Sequence, residues 1–178
     1  VPTGNGKVAK GELDVNVKDY GAAGDEVADD TAAAQSALTA AAGRILHLPA
    51  GSTFLVDTLN ISTGTRITGG GTLKFKPSTT AFALLAATDV SDITIDGITL
   101  DGNLTGNTFS EFRHAVQIVG GSNNITIRGC TFRDLIGDGV YIYRGASGNI
   151  PQGVNITGNH FTGANANRNG VSLISGKG

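Results

Sequence analysis

Short runs of alternating apolar and polar residues recur along this chain, and one run occurs three times. Ile93-Thr94-Ile95-Asp96-Gly97-Ile98-Thr99-Leu100 is echoed by Ile125-Thr126-Ile127-Arg128-Gly129-Cys130-Thr131-Phe132 and again by Val154-Asn155-Ile156-Thr157-Gly158-Asn159-His160-Phe161. Each copy reads as a period-2 strand, a glycine corner and a second short strand. Alternation sends Ile93/Ile95, Ile125/Ile127 and Val154/Ile156 to one side and the polar residues to the other. Gly97, Gly129 and Gly158 fall at one corner, where a positive φ turns the chain at little steric cost. The copies are 32 and 29 residues apart. Strands repeating at that period predict stacked rungs, each closing the core of its neighbour.

The pattern extends outward from these copies. Leu59–Ile61, Thr65–Thr68 and Thr72–Phe75 form a less regular first rung, with Gly69-Gly70-Gly71 at its corner, so Leu73, Leu100, Phe132 and Phe161 are equivalent. A third strand per rung starts at Phe82–Leu85 and recurs at His114–Ile118, Asp138–Ile142 and Asn169–Leu173. Three strands per turn predict an all-β, right-handed parallel β-helix; the strict hexapeptide of the left-handed kind is missing. Leu13–Val17, Arg44–Leu48 and Ser52–Val56 also read as strands, and Lys18–Glu26 as a loop. Asp29-Asp30-Thr31 offers an N-cap to the Ala-rich helix Ala32–Ala42, which Gly43 stops. One helix ahead of a solenoid predicts a cap over the open first rung. Residues 1–12 read as a linker or extended leading arm, 13–56 as the cap and 57–178 as the rungs.

Composition narrows the function classes. The 178 residues include 27 Gly, no Met and no Trp, and the net charge of −2 gives no electrostatic footprint for nucleic acid or an anionic membrane. No apolar run approaches a membrane span. The single cysteine, Cys130, sits on the inward side of its strand and predicts an inert buried thiol. A chain starting at Val1 is expected to have lost an upstream segment. The last strand ends at Ser175–Gly178 without a second cap, so the chain is expected to be a fragment truncated at its C-terminus, or to have that end covered by a partner, as in a homotrimer or by continuation of the solenoid.

Two loops exceed what the scaffold needs: Asp101–Arg113 ahead of the third-strand sheet and Tyr143–Gly153 after it. Both border one face, whose outward residues stack as Gln117, Tyr141 and Ser172 with Tyr143 beside them. Tyr141 and Tyr143 suit sugar stacking, Gln117 and Ser172 hydrogen bonding, and Arg144 adjoins them. Glycoside cleavage needs two carboxyl groups. Of Asp101, Glu111, Asp134 and Asp138, the pair Glu111 and Asp138 fits best, one on the long loop and one at the start of the adjacent strand. Equally, Asp138 serves as a turn-shaping residue, since His114 and Asn169 occupy the same slot. Neither a zinc constellation, nor a calcium cluster, nor a phosphate loop is present, so no metal or cofactor is expected.

Val15–Leu38 reads VNVKDYGAAGDEVADDTAAAQSAL, followed by LHLPAGSTFLV. This opening resembles that of the pectate-lyase-like right-handed β-helix superfamily, which includes phage tailspike and capsule depolymerases, polygalacturonase-like hydrolases and mannuronan epimerases. The resemblance implies that Asp19, Tyr20, Gly21, Gly24, Asp25, Asp29, Asp30, Thr31 and Gln35 belong to the cap, in loop hydrogen bonding and helix capping. Glu26 stands where the superfamily commonly has Gly. The epimerases' Asp-Pro-His triplet is missing at Tyr141–Tyr143. Gly139 replaces the second Asp of the polygalacturonases' Gly-Asp-Asp strand, so neither activity is carried over. The resemblance implies a polysaccharide partner and an extracellular or virion-surface setting. It leaves open a tailspike-like depolymerase, hydrolase or lyase, and a non-catalytic glycan-binding or trimerising module.

Overall fold

The computed structural model describes residues 14–146, 148–163 and 169–174. The leading arm expected over 1–12, Leu13 and the chain end Ser175–Gly178 lie outside the described residues. Within them the chain coils as a right-handed parallel β-helix with three sheets. The first sheet holds Val15–Asn16, Ile45–His47, Arg66–Thr68, Ser91–Asp96, Asn123–Arg128 and Gln152–Thr157. The second holds Asp25–Asp29, Thr53–Val56, Thr72–Phe75, Thr99–Asp101, Thr131–Arg133 and His160–Thr162. The third holds Leu59–Asn60, Ala83–Thr88, His114–Val119, Val140–Tyr143 and Val171–Ile174.

Register places like residues above one another. Ile67, Ile95, Ile127 and Ile156 form one inward column, and Leu73, Leu100, Phe132 and Phe161 a second. Leu85, Val116, Val140 and Val171 form the third. All but the last members of these columns are buried, each contributing roughly 1.5–3 kcal/mol for a fully enclosed side chain. Ile156 and Phe161 are half-buried. The corners between first and second sheets use Gly97, Gly129 and Gly158 at φ of 67°, 60° and 62°. Beside one of them Asn159 Oδ1 accepts from the Cys130 amide at 2.9 Å, and its Nδ2 donates to Ile127 O at 2.9 Å. Cys130 is buried, and burial pushes its thiol pKa up.

The helix Thr31–Ala40 turns Ala34, Ala37 and Leu38 onto the first rung. Gln35 straps it there: its Oε1 accepts from Asn60 N at 2.8 Å and its Nε2 donates to Asn60 O at 3.1 Å. Thr31 Oγ1 accepts from Asp57 N at 3.0 Å. Asp30 stands at the N-cap but its side chain does not cap the helix. Its carboxylate instead accepts from Ala23 N and Gly24 N, holding the preceding loop, while Asp29 Oδ1 accepts from Thr31 N.

The segment expected as a loop over Lys18–Glu26 differs. Val17–Tyr20 is a short 3-10 turn, and Asp25–Asp29 is a strand on the edge of the second sheet. Most of its side chains are exposed, so no buried face marked it by alternation. Its register shifts between Asp25 and Asp29, and Glu26 takes φ 63°, the left-handed region where a glycine sits without strain. Glu26 meets Lys74 Nζ at 2.6 Å.

Candidate functional site

The outer face of the third sheet carries an in-register column of Ala86, Gln117, Tyr141 and Ser172. Consecutive members are one rung, about 4.8 Å, apart. Tyr143 belongs to the next column, paired with Val119 and Ile174. Tyr141 and Tyr143 are stacked neighbours, with ring centroids 5.9 Å apart and planes 19° from parallel. The loop 102–113 leads into this sheet and the loop 144–151 leaves it, so the two border the same face from opposite edges.

Below the column, His114, Asp138 and Asn169 stack at the strand starts. Main-chain bonds from Ala115 N to Asp138 O and from Gly139 N to Asn169 O fix that order. His114 Nδ1 lies 3.8 Å from Asp138 Oδ2, and both side chains are almost fully enclosed, at 3% and 1% exposure. Asn169 Nδ2 donates to Asp138 Oδ1 at 3.1 Å and to Ser172 Oγ at 3.0 Å. The His114 and Tyr141 rings stack at 4.1 Å and 2°. One continuous set of contacts thus runs from a buried carboxyl through an imidazole to a half-buried phenol on the surface.

The remaining expected residues fall in different environments. Glu111 is exposed on the loop, whereas Asp138 is enclosed, and Arg144 follows Tyr143 half-buried. The Arg144 Nε is buried with no hydrogen-bond partner among the described residues. Asp101 is buried on the second sheet, where Arg133 Nε donates to it at 2.8 Å and Asn103 N at 2.7 Å; these contacts make it structural. His114 and Asn169 belong to the site although only their shared slot with Asp138 marked them in the sequence. Tyr141's outward position did not disclose its stacking on His114, because alternation sets a side and not a rotamer.

A second feature borders the same face. The loops 76–82 and 102–113 enclose an open cleft of about 410 Å³ lined by Ser78, Thr79, Thr80, Thr105, Gly106, Asn107, Thr108 and Arg113. Among the described residues no group of three His, Cys, Asp or Glu is placed to hold a metal ion, and no helix is long and apolar enough to cross a membrane.

The model of the family described as rhamnogalacturonase A/epimerase, pectate lyase-like, matches residues 14–109. The fold is also similar to that of the mannuronan C-5 epimerase AlgE6 A-module of Azotobacter vinelandii, at 23% identity and a TM-score of 0.64 over 80% of this chain and 42% of that one. ORF18 of Geobacillus virus E2 is 19% identical with a TM-score of 0.62, over 89% and 40% of the two chains. PfbA, a surface adhesin of Streptococcus pneumoniae, is 21% identical with a TM-score of 0.53, over 83% and 39%. The chain spans about two-fifths of each of these three proteins. No curated protein matches it in sequence.

Proposed function

The chain belongs to the rhamnogalacturonase A/epimerase, pectate lyase-like family, and on that premise we propose that it binds and depolymerises an extracellular or capsular polysaccharide in the manner of a tailspike. The glycan lies along the coil axis on the outer face of the third sheet. The observation that carries this reading is the in-register column Gln117–Tyr141–Ser172, with Tyr143 beside it, between two loops. Sugar rings stack on Tyr141 and Tyr143, and Gln117, Ser172 and Arg144 meet their hydroxyls. Cleavage requires a proton delivered to the leaving oxygen and a second carboxyl group. Glu111 supplies the proton from its exposed loop. Asp138 is the second carboxyl, held in place by Asn169 and set against His114.

The enclosure of Asp138 favours a second reading, a glycan-binding or trimerising segment without chemistry. A phage protein and a surface adhesin among the similar structures support an extracellular or virion setting under either reading. The deciding assay incubates the protein with a panel of bacterial capsules and pectins, and follows reducing ends together with the absorbance of unsaturated uronates. New reducing ends without that absorbance identify a hydrolase, and both together a lyase. Binding without either leaves the second reading. Glu111→Gln and Asp138→Asn are expected to abolish cleavage while retaining binding; unchanged rates remove those two residues from the mechanism.

A further inference from the structure

We infer that Asn169 is a site of self-modification, deamidated through the main-chain nitrogen of Gly170, and that the change sets a second carboxylate against Asp138. Asn169-Gly170 is the only Asn-Gly pair among the described residues, and asparagine is a thermolabile residue. A glycine after it leaves the attacking nitrogen unshielded by a side chain. The same slot occurs in three successive rungs, as His114-Ala115, Asp138-Gly139 and Asn169-Gly170. In the first two the nitrogen after the slot is committed: Ala115 N donates to Asp138 O at 3.1 Å and Gly139 N to Asn169 O at 2.9 Å. Gly170 leads into Val171–Ile174, the outermost strand of the third sheet, and no described rung lies beyond it to take its amide. Asp138 is enclosed, whereas Asn169 is exposed. Leu173 of the same strand is 70% exposed, so little apolar burial opposes local opening of this rung, which frees Asn169 Nδ2 from its two acceptors.

In the reaction the Gly170 nitrogen gives its proton to hydroxide and bonds to Cγ of Asn169. The Cγ–Nδ2 bond breaks, and ammonia leaves with a proton taken from water. The five-membered imide then adds water at either carbonyl and opens to aspartate or isoaspartate. One water enters and one ammonia departs, with no oxidant or reductant. The consequence is local and chemical. Asn169 Nδ2 now donates to Asp138 Oδ1 at 3.1 Å and to Ser172 Oγ at 3.0 Å. A carboxylate has no hydrogen to donate, so Asp138 loses that partner and faces a like charge, while Ser172 must turn from acceptor to donor. Two carboxylates that close share one proton or move apart. The isoaspartate product also lengthens the main chain at the bond from Gly139 N to Asn169 O. Deamidation thus disturbs Asp138 and Ser172 together, and on the reading of this face as a glycan track it ages the site.

The test is peptide mapping by mass spectrometry of the intact chain held in mildly alkaline buffer, with the same chain unfolded in urea as the control. Trypsin releases Asn169–Lys177 as one peptide, separate from Asn5-Gly6, the other such pair in the sequence. The expected result is that this peptide gains the mass difference between an amide and an acid in the folded protein and splits into two chromatographic forms. Gly170→Ala should stop the conversion; a Cβ there meets nothing nearer than Phe161 at 3.4 Å, so the variant keeps the fold. Asn169→Asp reproduces the product. It should lose stability relative to the wild type as pH rises from about 4 to 7, because the folded state holds a proton that the unfolded state gives up, and Asp138→Asn in the same chain should cancel that loss. A peptide that stays intact in the folded chain while it converts in urea, or a Gly170→Ala chain that converts as fast as the wild type, overturns the inference. A pH profile of Asn169→Asp parallel to that of the wild type overturns the contact between the two carboxylates. Neither readout uses a glycan, so both stand or fall independently of the proposed function.

Discussion

Replacing Ile127 by Ala should expose how the coil is held together. Ile127 is fully buried and sits in register between Ile95, also fully buried, and Ile156, which is half-buried. Losing three carbons from such a site removes about 2–2.5 kcal/mol of transfer free energy. A cavity adds to this, because the main-chain ladders above and below keep the neighbouring rungs about 4.8 Å away and prevent collapse. The expected loss is about 3–4 kcal/mol, against roughly 1–1.5 kcal/mol for Ile156→Ala, where solvent already reaches the side chain. Urea unfolding followed by circular dichroism reads both, with the slope of free energy against denaturant unchanged. A loss below about 1 kcal/mol at Ile127, or equal losses at the two positions, would refute the argument that rung-on-rung enclosure carries stability.

Two other outcomes follow from the cap. Gln35→Ala breaks both bonds to the Asn60 backbone and should lower stability by about 1 kcal/mol, since the freed groups reach water; an unchanged thermal midpoint would mean that the strap contributes nothing. Asp29 is held at a pKa of about 2, first by its hydrogen bond with Lys76 and then by Thr31. A depressed folded pKa contributes stability that is complete above the ordinary carboxylate range near pH 4 and is lost as pH falls through about 2. Asp96, lowered chiefly by Arg128, and Glu26, lowered by Lys74, act in the same direction. The thermal midpoint should therefore be flat above about pH 5 and fall between pH 4 and 2, and Asp29→Asn should reduce that fall.

The sequence was most legible where burial is one-sided. Ile95, Ile127 and Ile156 alternate with polar residues because one face meets the core, and that alternation fixed their column and the glycine corners. The edge strand Asp25–Asp29 was not legible, since a strand exposed on both faces carries no alternation. Asp30 fits a helix cap by residue type, but the amides of Ala23 and Gly24 compete for its carboxylate and win. At the candidate site, strand parity was enough to set Gln117, Tyr141 and Ser172 on one face. The joining of Asp138 to Ser172 through Asn169, and of His114 to Tyr141, depends on side-chain direction across rungs, for which sequence spacing holds no signal.

The central claim is that glycans meet this molecule on the outer face of the third sheet. Amide chemical-shift mapping of the 18.0 kDa chain, titrated with whichever oligosaccharide binds in the capsule and pectin panel, tests it directly. The account predicts that the largest shifts fall on Gln117, Tyr141, Tyr143 and Ser172. Shifts centred instead on Thr94 and Thr126 of the first sheet, or on the Thr72–Thr99–Thr131 column of the second, would contradict it.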